Sequence, residues 1–222
     1  MLIDYNKHKE AVKKIVRKSW YLKKLTTFLL KFYARWGINI SKHSGVKLKI
    51  YNIGKNNSFT SGENCLIDKL ELKVLGNNNK IIIGNNVTIM SMCSFIISGN
   101  NCSIEIGDES TMTSNCQLEA QEEDTHIVIG KDCMFSNHIR IRTNDSHFIF
   151  DAETGKRTNV PASVKIGDHV WLAAYSSVLK GVTIGDGSVI GYRSVVTKTI
   201  PNNCVAVGMP AKVVQQNIKW SR

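Results

Sequence analysis

A repeat of six residues constrains this chain more than any other feature. An aliphatic residue followed by glycine recurs at Ile53-Gly54, Ile83-Gly84, Ile106-Gly107, Ile129-Gly130, Ile166-Gly167, Ile184-Gly185 and Ile190-Gly191. The steps from 83 to 106 and from 106 to 129 are 23 residues, the step from 166 to 184 is 18, and the step from 184 to 190 is six. Six is therefore the unit, and three units complete one turn. From Ile166 the chain reads IGDHVW, LAAYSS, VLKGVT, IGDGSV, IGYRSV, VTKTIP, with Ile, Leu or Val always first. The middle reads IGNNVT, IMSMCS, IGDEST, MTSNCQ, IGKDCM, FSNHIR, which places Cys93, Cys116 and Cys133 fifth, where a small apolar thiol is expected to be buried.

A period of six fits neither an amphipathic helix nor an ordinary alternating strand. It fits a short flat strand with its aliphatic residue pointing inward, then a corner, repeated. Three such faces close a triangular coil, and coils stack at the strand spacing of about 4.7–4.9 Å. Corners need residues that tolerate positive φ, which is the expected use of the glycines and of Asn77-Asn78-Asn79, Asn85-Asn86, Asn100-Asn101 and Asn202-Asn203. The 23-residue steps read as one 18-residue coil with five residues added at a corner. The fold class expected is all-β, a parallel β-helix over residues 46–214, with a tail at 215–222.

Hydrophobic residues make up 42% of the 222 and charged residues 21%, which is the globular range and argues against disorder. No apolar run reaches the roughly 18 residues of a membrane-spanning helix, and the lysine-rich start lacks the apolar core of a secretory signal. The net charge of +11 is uneven: residues 1–35 hold ten Lys/Arg against Asp4 and Glu10. A nucleic-acid partner would call for a basic body, so none is expected. The six cysteines form no CxxC pair and read as reduced thiols of a cytoplasmic chain.

Within the segment 1–45, Val12, Ile15, Val16, Leu22, Leu25, Leu29, Phe32, Tyr33 and Trp36 recur mostly three and four apart. The spacing predicts a short α-helical segment, one or two amphipathic helices over about 8–36. It would either cap the first coil or set a basic face on anionic lipid, giving peripheral association at the inner face of the membrane.

The sixes, with glycine after the aliphatic residue, resemble the hexapeptide-repeat acyltransferases over roughly 46–214, most tightly from 129 onward. The resemblance implies a left-handed winding, acetyl-CoA as co-substrate, and a homotrimer with active sites in clefts between prisms.

The candidate chemistry lies where the repeat breaks. From Ile129 to Ile166 the step is 37 residues, one coil plus nineteen. The insertion, about 142–165, opens with Arg142-Thr143-Asn144-Asp145-Ser146-His147. A regular coil has no use for so long a polar excursion. His147 is the candidate general base, since an imidazole ordinarily titrates near pH ~6.5. TNDSH, IFDAETGKRTN and VKIGDHVWLA resemble sugar O-acetyltransferases of bacterial capsule, sialic acid and lipopolysaccharide modification. That likeness implies a direct attack by a sugar hydroxyl on the thioester after His147 takes its proton.

Arg142, Asn144 and Asp145 are candidates for holding the acceptor; Asp145 would equally cap its own loop. Trp171 matches a tryptophan that in relatives acting on polysialic acid lies beside the catalytic histidine at the thioester, although packing on a neighbouring subunit is the alternative. Asn115 aligns through a one-residue gap with an acceptor-contacting asparagine of galactoside acetyltransferases, and is also an ordinary corner residue. His126, His138 and His169 fall in outward slots with no role expected, and no histidine trio suggests a metal.

IGYRSVVTK and IPNNCVAVGMPAKVV resemble the family's coenzyme-binding end. Carried over by position, Ala174, Tyr192, Thr197, Lys198 and Lys212, with Trp171, would contact acetyl-CoA. Tyr175 and Tyr192-Arg193 depart from the small residues usual there. The function expected is O-acetyl transfer from acetyl-CoA to a hydroxyl of a bacterial surface polysaccharide (capsule, polysialic acid or O-antigen) or its precursor. The alternatives are N-acetylation of an amino sugar nucleotide and a non-catalytic glycan-binding β-helix.

Overall fold

The structure, a computed structural model, describes residues 45–222 together with the strands Ile3–Asp4 and Gly37–Ile40. The helices expected over 8–36 lie outside the described residues. Within the described residues all regular structure is strand, and no helix is long and apolar enough to cross a membrane.

The sixes become rungs on three faces. Face A stacks Thr88–Ile89, Thr111–Met112, Met134–Phe135, Trp171–Leu172 and Val189–Ile190. Face B stacks Ser94–Ser98, Gln117–Gln121, Arg140–Arg142, Ser177–Val178 and Val195–Val196. Face C stacks Lys80–Ile83, Ser103–Ile106, His126–Ile129, Val164–Ile166 and Thr183–Ile184. Neighbouring rungs are parallel and in register, with Leu118 opposite both Phe95 and Ile141. The strand Leu66–Leu75 runs from face A to face B, turning at Lys69 with φ 56°. Gly37–Ile40 pairs with Ser58–Ser61, so the ladder begins upstream of residue 46. At the other end Val205–Gly208 and Ala211–Gln215 close face A as an antiparallel hairpin.

At least one inward residue per rung fills the axis: Ile89, Met112, Phe135, Leu172 and Ile190 from face A, Phe95, Leu118, Ile141, Val178 and Val196 from face B, all buried. Burial of each such side chain contributes about 1.5–3 kcal/mol. All six cysteines are buried. Cys65, Cys116 and Cys133 donate weakly to a carbonyl of the next coil (Gly84, Ser136 and Gly167), and burial pushes the Cys133 thiol up to about 12.

Corners divide two jobs between different residues. The third corner residue has positive φ, as at Asn86, Glu109, Asp132 and His169 between faces C and A, and at Met92, Asn115, His138, Tyr175 and Arg193 between A and B. The glycine opening each C–A corner serves a different need. A Cβ on Gly107 would lie 2.6 Å from the carbonyl carbon and oxygen of Gly130 one coil on, so close stacking, not dihedral freedom, selects glycine there. Where the second residue is Asn or Asp, it accepts a backbone N–H from the adjacent coil, as Asp108 Oδ1 does from Asn85 N at 2.8 Å.

The added residues all enter at one edge. In the 23-residue coils, face B strands run on to Ser98 and Gln121, and the B–C corner absorbs the five extra positions. The large insertion leaves that same edge after Arg142 and rejoins at Val164.

Candidate active site

The insertion is anchored at its root before it reaches His147. Thr143 is buried, and its hydroxyl accepts from Gln121 N at 2.8 Å and lies 3.2 Å from the hydroxyl of Thr125. Arg142 bonds Glu119 Oε2 at 2.9 Å and the Ser146 hydroxyl at 3.3 Å. Asn144, also buried, donates to Glu122 Oε1 at 3.1 Å and leaves its own Oδ1 buried without a partner. Asp145 pairs with Lys180 of the following coil; that contact, with Asn159, holds its carboxyl below the usual range. Within the insertion, Asp145 Oδ2 also accepts from Asn159 at 3.0 Å.

A residue absent from the sequence reading ties the loop together. Asn159, 7% exposed, donates through Nδ2 to Asp145 Oδ2 (3.0 Å) and to the His147 carbonyl (2.7 Å), and its Oδ1 accepts from Ile149 N (2.7 Å). The backbone of His147 is thus fixed from both sides. Its side chain is exposed and has no hydrogen-bond partner among the described residues. Beyond it, Phe148, Ile149, Phe150 and Val160 are exposed. The returning arm of the insertion carries Arg157, which forks onto Glu122 (2.5 and 2.8 Å) and lies 4.1 Å over the Phe148 ring. Arg157 holds the Glu122 carboxyl below its ordinary range. The signal for this anchor was in the sequence: Glu122 replaces the glycine found at the same corner as Gly76 and Gly99.

Trp171 projects outward from face A. Its indole Nε1 is buried with no hydrogen-bond partner, and its ring lies 6.0 Å from that of Trp220. Beside it His169, given no role from the sequence, faces Asp132 Oδ2 at 2.6 Å. Burial raises the Asp132 carboxyl, but hydrogen bonds from His169 and Arg222 outweigh it and leave the group below its ordinary range.

The A–B edge holds the third group. Asn115 occupies a positive-φ corner, and its carbonyl accepts from Arg140 at 3.2 Å. Above it His138 stacks on Tyr175 (4.5 Å, 11°), Tyr175 meets Tyr192 edge-on at 5.6 Å, and Arg193 lies over both phenol rings. Ala174 sits in the same corner and accepts from Arg193 N. Thr197 and Lys198 are exposed at the B–C edge, Lys212 on the final hairpin.

The sequence candidates therefore fall at different places on one prism. Arg142, Asn144, Asp145, His147, Thr197 and Lys198 gather at the B–C edge; Asn115, Ala174 and Tyr192 lie at the A–B edge; Trp171 and Lys212 lie on face A. Face C carries a groove of about 860 Å³ whose lining includes Lys80, Ser103, Glu105, His126 and Lys165, and none of the candidates lines it. No group of three His, Cys, Asp or Glu that would hold a metal occurs among the described residues.

A stacked six-residue prism with one long, internally braced insertion defines a hexapeptide-repeat transferase. Residues 163–198 match the model of the bacterial transferase hexapeptide family (six repeats). The polysialic acid O-acetyltransferase of Neisseria meningitidis is 37% identical over 171 residues, 77% of this chain and 78% of that protein. A crystal structure of the polysialic acid O-acetyltransferase OatWY superposes with a TM-score of 0.74 at 36% identity, covering 85% of this chain and 88% of the other. The polysialic acid O-acetyltransferase of Escherichia coli O1:K1 is 35% identical over 91 residues; the match covers 41% of this chain, which spans 30% of that relative. The chain belongs to the hexapeptide-repeat acetyltransferase family.

Proposed function

We propose that this protein is an O-acetyltransferase that moves acetyl from acetyl-CoA to a hydroxyl of a bacterial surface polysaccharide of the polysialic acid or capsule type, or to its precursor. One observation carries the reading: the long insertion fixes the His147 backbone through Asn159 and leaves the imidazole exposed and unpaired. A side chain so positioned, with its ring free, is what a general base for an external hydroxyl requires. The polysialic acid O-acetyltransferases similar to this chain set the substrate class.

Acetyl-CoA suits the residues present: exposed Lys198 and Lys212 for its phosphates and the exposed Tyr175 and Tyr192 rings for its base. It supplies an acyl group activated as a thioester. His147 takes the proton of the acceptor hydroxyl as that oxygen bonds to the acyl carbon. The carbon–sulfur bond breaks, and the imidazolium returns the proton to the departing sulfur. Arg142 and Asn144 flank the acceptor side; Asp145 supports them through its ion pair with Lys180.

Because the candidates occupy separate edges of one prism, a complete site needs a second copy. We read the working form as a homotrimer of left-handed prisms, each cleft combining the insertion of one chain with Asn115, Trp171, Ala174 and Tyr192 of the next. The exposed Phe148, Ile149, Phe150 and Val160 suit such a contact. A cytoplasmic enzyme, peripheral at the membrane through residues 1–36, meets the glycan during its assembly.

The test is turnover of acetyl-CoA against sialic acid polymers, other capsular glycans and amino-sugar nucleotides, with the product located by NMR. Ester formation that falls at least about 10²-fold in His147→Ala supports the reading. Amide formation on the amino sugar, or equal rates in His147→Ala, refutes it.

A further inference from the structure

The segment after the final hairpin does not leave the molecule. It turns back along the C–A edge and touches successive coils on the way. Ile218 N bonds the Asn203 carbonyl at 3.0 Å. Trp220 stacks on His169, with ring centroids 4.0 Å apart and planes at 12°. The two residues bond reciprocally: Trp220 Nε1 donates to the His169 carbonyl and His169 Nε2 lies on the Trp220 carbonyl, both at 3.1 Å. Arg222 then reaches two coils further, with bonds to Asp132 Oδ1, the Thr111 hydroxyl and the carbonyls of Glu109 and Cys133 at 2.7–3.1 Å.

The core residues of the prism are buried around its axis, and the backbone at these corners is already paired from coil to coil. What this returning strap adds is a wall beside Trp171. The Trp220 ring stands 6.0 Å from Trp171 at 44°, and the Trp171 Nε1 is buried without an acceptor. A donor buried and unsatisfied in the resting molecule is unusual and calls for a specific reason. His169 and Asp132, idle in the acetyl-transfer reading, are explained as the strap's anchorage.

We propose that Trp220 is a positioning residue for acetyl transfer: the strap 217–222, clamped by Arg222 on Asp132 and by His169, holds the Trp220 ring against Trp171 and so sets the orientation of that indole at the acyl group. This rests on the reading of Trp171 as part of the site. The strap acts on kcat, because it orients a side chain and adds no contact of its own to the polysaccharide.

The experiment uses the full chain labelled with 5-fluorotryptophan, with the Trp171 resonance assigned through Trp171→Phe. Trp220→Phe, Trp220→Ala and Arg222→Ala are compared with the parent by ¹⁹F NMR, melting temperature, and kcat and KM for acetyl-CoA and a glycan acceptor. In Trp220→Ala the Trp171 resonance moves and kcat falls about tenfold or more with the acceptor KM nearly unchanged. Trp220→Phe recovers part of the rate, and Arg222→Ala gives the same pattern more weakly. Unchanged kcat in Trp220→Ala, or an equal loss in Trp220→Phe, overturns the proposal. Should Trp220→Ala not fold, Trp220→Phe and Arg222→Ala decide: one of them must lower kcat without lowering the melting temperature. If the parent itself transfers no acetyl group, the functional reading fails. The strap then stands only if the Trp171 resonance moves in Trp220→Ala, and falls if it does not.

Discussion

Arg157 grips Glu122 across thirty-five positions of sequence, with Nη1 2.5 Å from Oε2 and Nη2 2.8 Å from Oε1. Bidentate pairs of this kind fix direction as well as distance. Here the fork pins the returning arm of the insertion to the coil that lies under its outgoing arm. Breaking it frees the loop while leaving the prism closed. Arg157→Ala is expected to lower acetyl transfer roughly 10- to 100-fold, the scale for misplacing a catalytic group by about an ångström. The melting temperature of the prism should change little, which a paired thermal melt and rate measurement checks.

Asn159 sits at the centre of the same loop and bonds Asp145, the His147 carbonyl and Ile149 N. Asn159→Ala removes all three bonds, each worth about 0.5–1.5 kcal/mol net. The expected outcome is a loop-local defect: kcat down about 10²-fold with the imidazole intact. Unaltered kcat in a folded Asn159→Ala protein would contradict the role given to the His147 backbone.

Acid should detach the insertion before it unfolds the prism. Glu122 is held low chiefly by Arg157, and Asp145 chiefly by Lys180. A carboxyl whose folded pKa lies below its unfolded one stabilises above the unfolded value and stops doing so as pH falls through the folded value. The docking contribution is therefore constant above the ordinary carboxylate range, near pH ~4, and is lost below it. Hydrogen exchange corrected for intrinsic rates should show residues 143–163 losing protection on acidification while Ser94–Ser98 keeps it. Simultaneous loss would contradict the prediction.

Gly107 tests the stacking argument. An added Cβ meets the Gly130 carbonyl group at 2.6 Å, and backbone cannot yield as a side chain does. Gly107→Ala should destabilise the protein by about 1–3 kcal/mol, as overpacking does. Gly155→Ala, where a Cβ would meet nothing within 4 Å, should cost less despite its φ of 66°. Urea denaturation of the two variants ranks them.

The thiols should be silent. All six are buried, and Cys133 is pushed up to about 12 by burial. The reactive form is the thiolate, so an aromatic disulfide reagent should titrate none of the described cysteines in the native protein and should react once denaturant exposes them.

How much of this was legible in advance follows from what each residue interacts with. Ile106, Cys116, Ile129 and Leu172 interact with residues at their own repeat position one coil away, so a period of six encodes their environment outright. The edge that receives extra residues was legible only as a length, because a count of 23 does not say which of three corners holds the surplus. The insertion was legible as an interruption and His147 as its imidazole. The bracing by Asn159, Lys180 and Arg157 was not, because the partners that tie the loop lie between 10 and 35 residues away at no repeating interval. His169 was passed over for the same reason: its neighbours are Asp132, 37 positions back, and Trp220, 51 positions on.

From the sequence alone came the prism, its three faces and the one place where the repeat gives way, since stacking makes every coil a local copy of the last and a local rule is readable in a string. The tertiary structure alone decided that the candidate residues divide between two edges and one face, and that the segment 217–222 returns to stand against Trp171. Those relationships join residues that share no period. Only the folded chain, with its coils stacked and its loop and strap laid across them, brings such residues into contact.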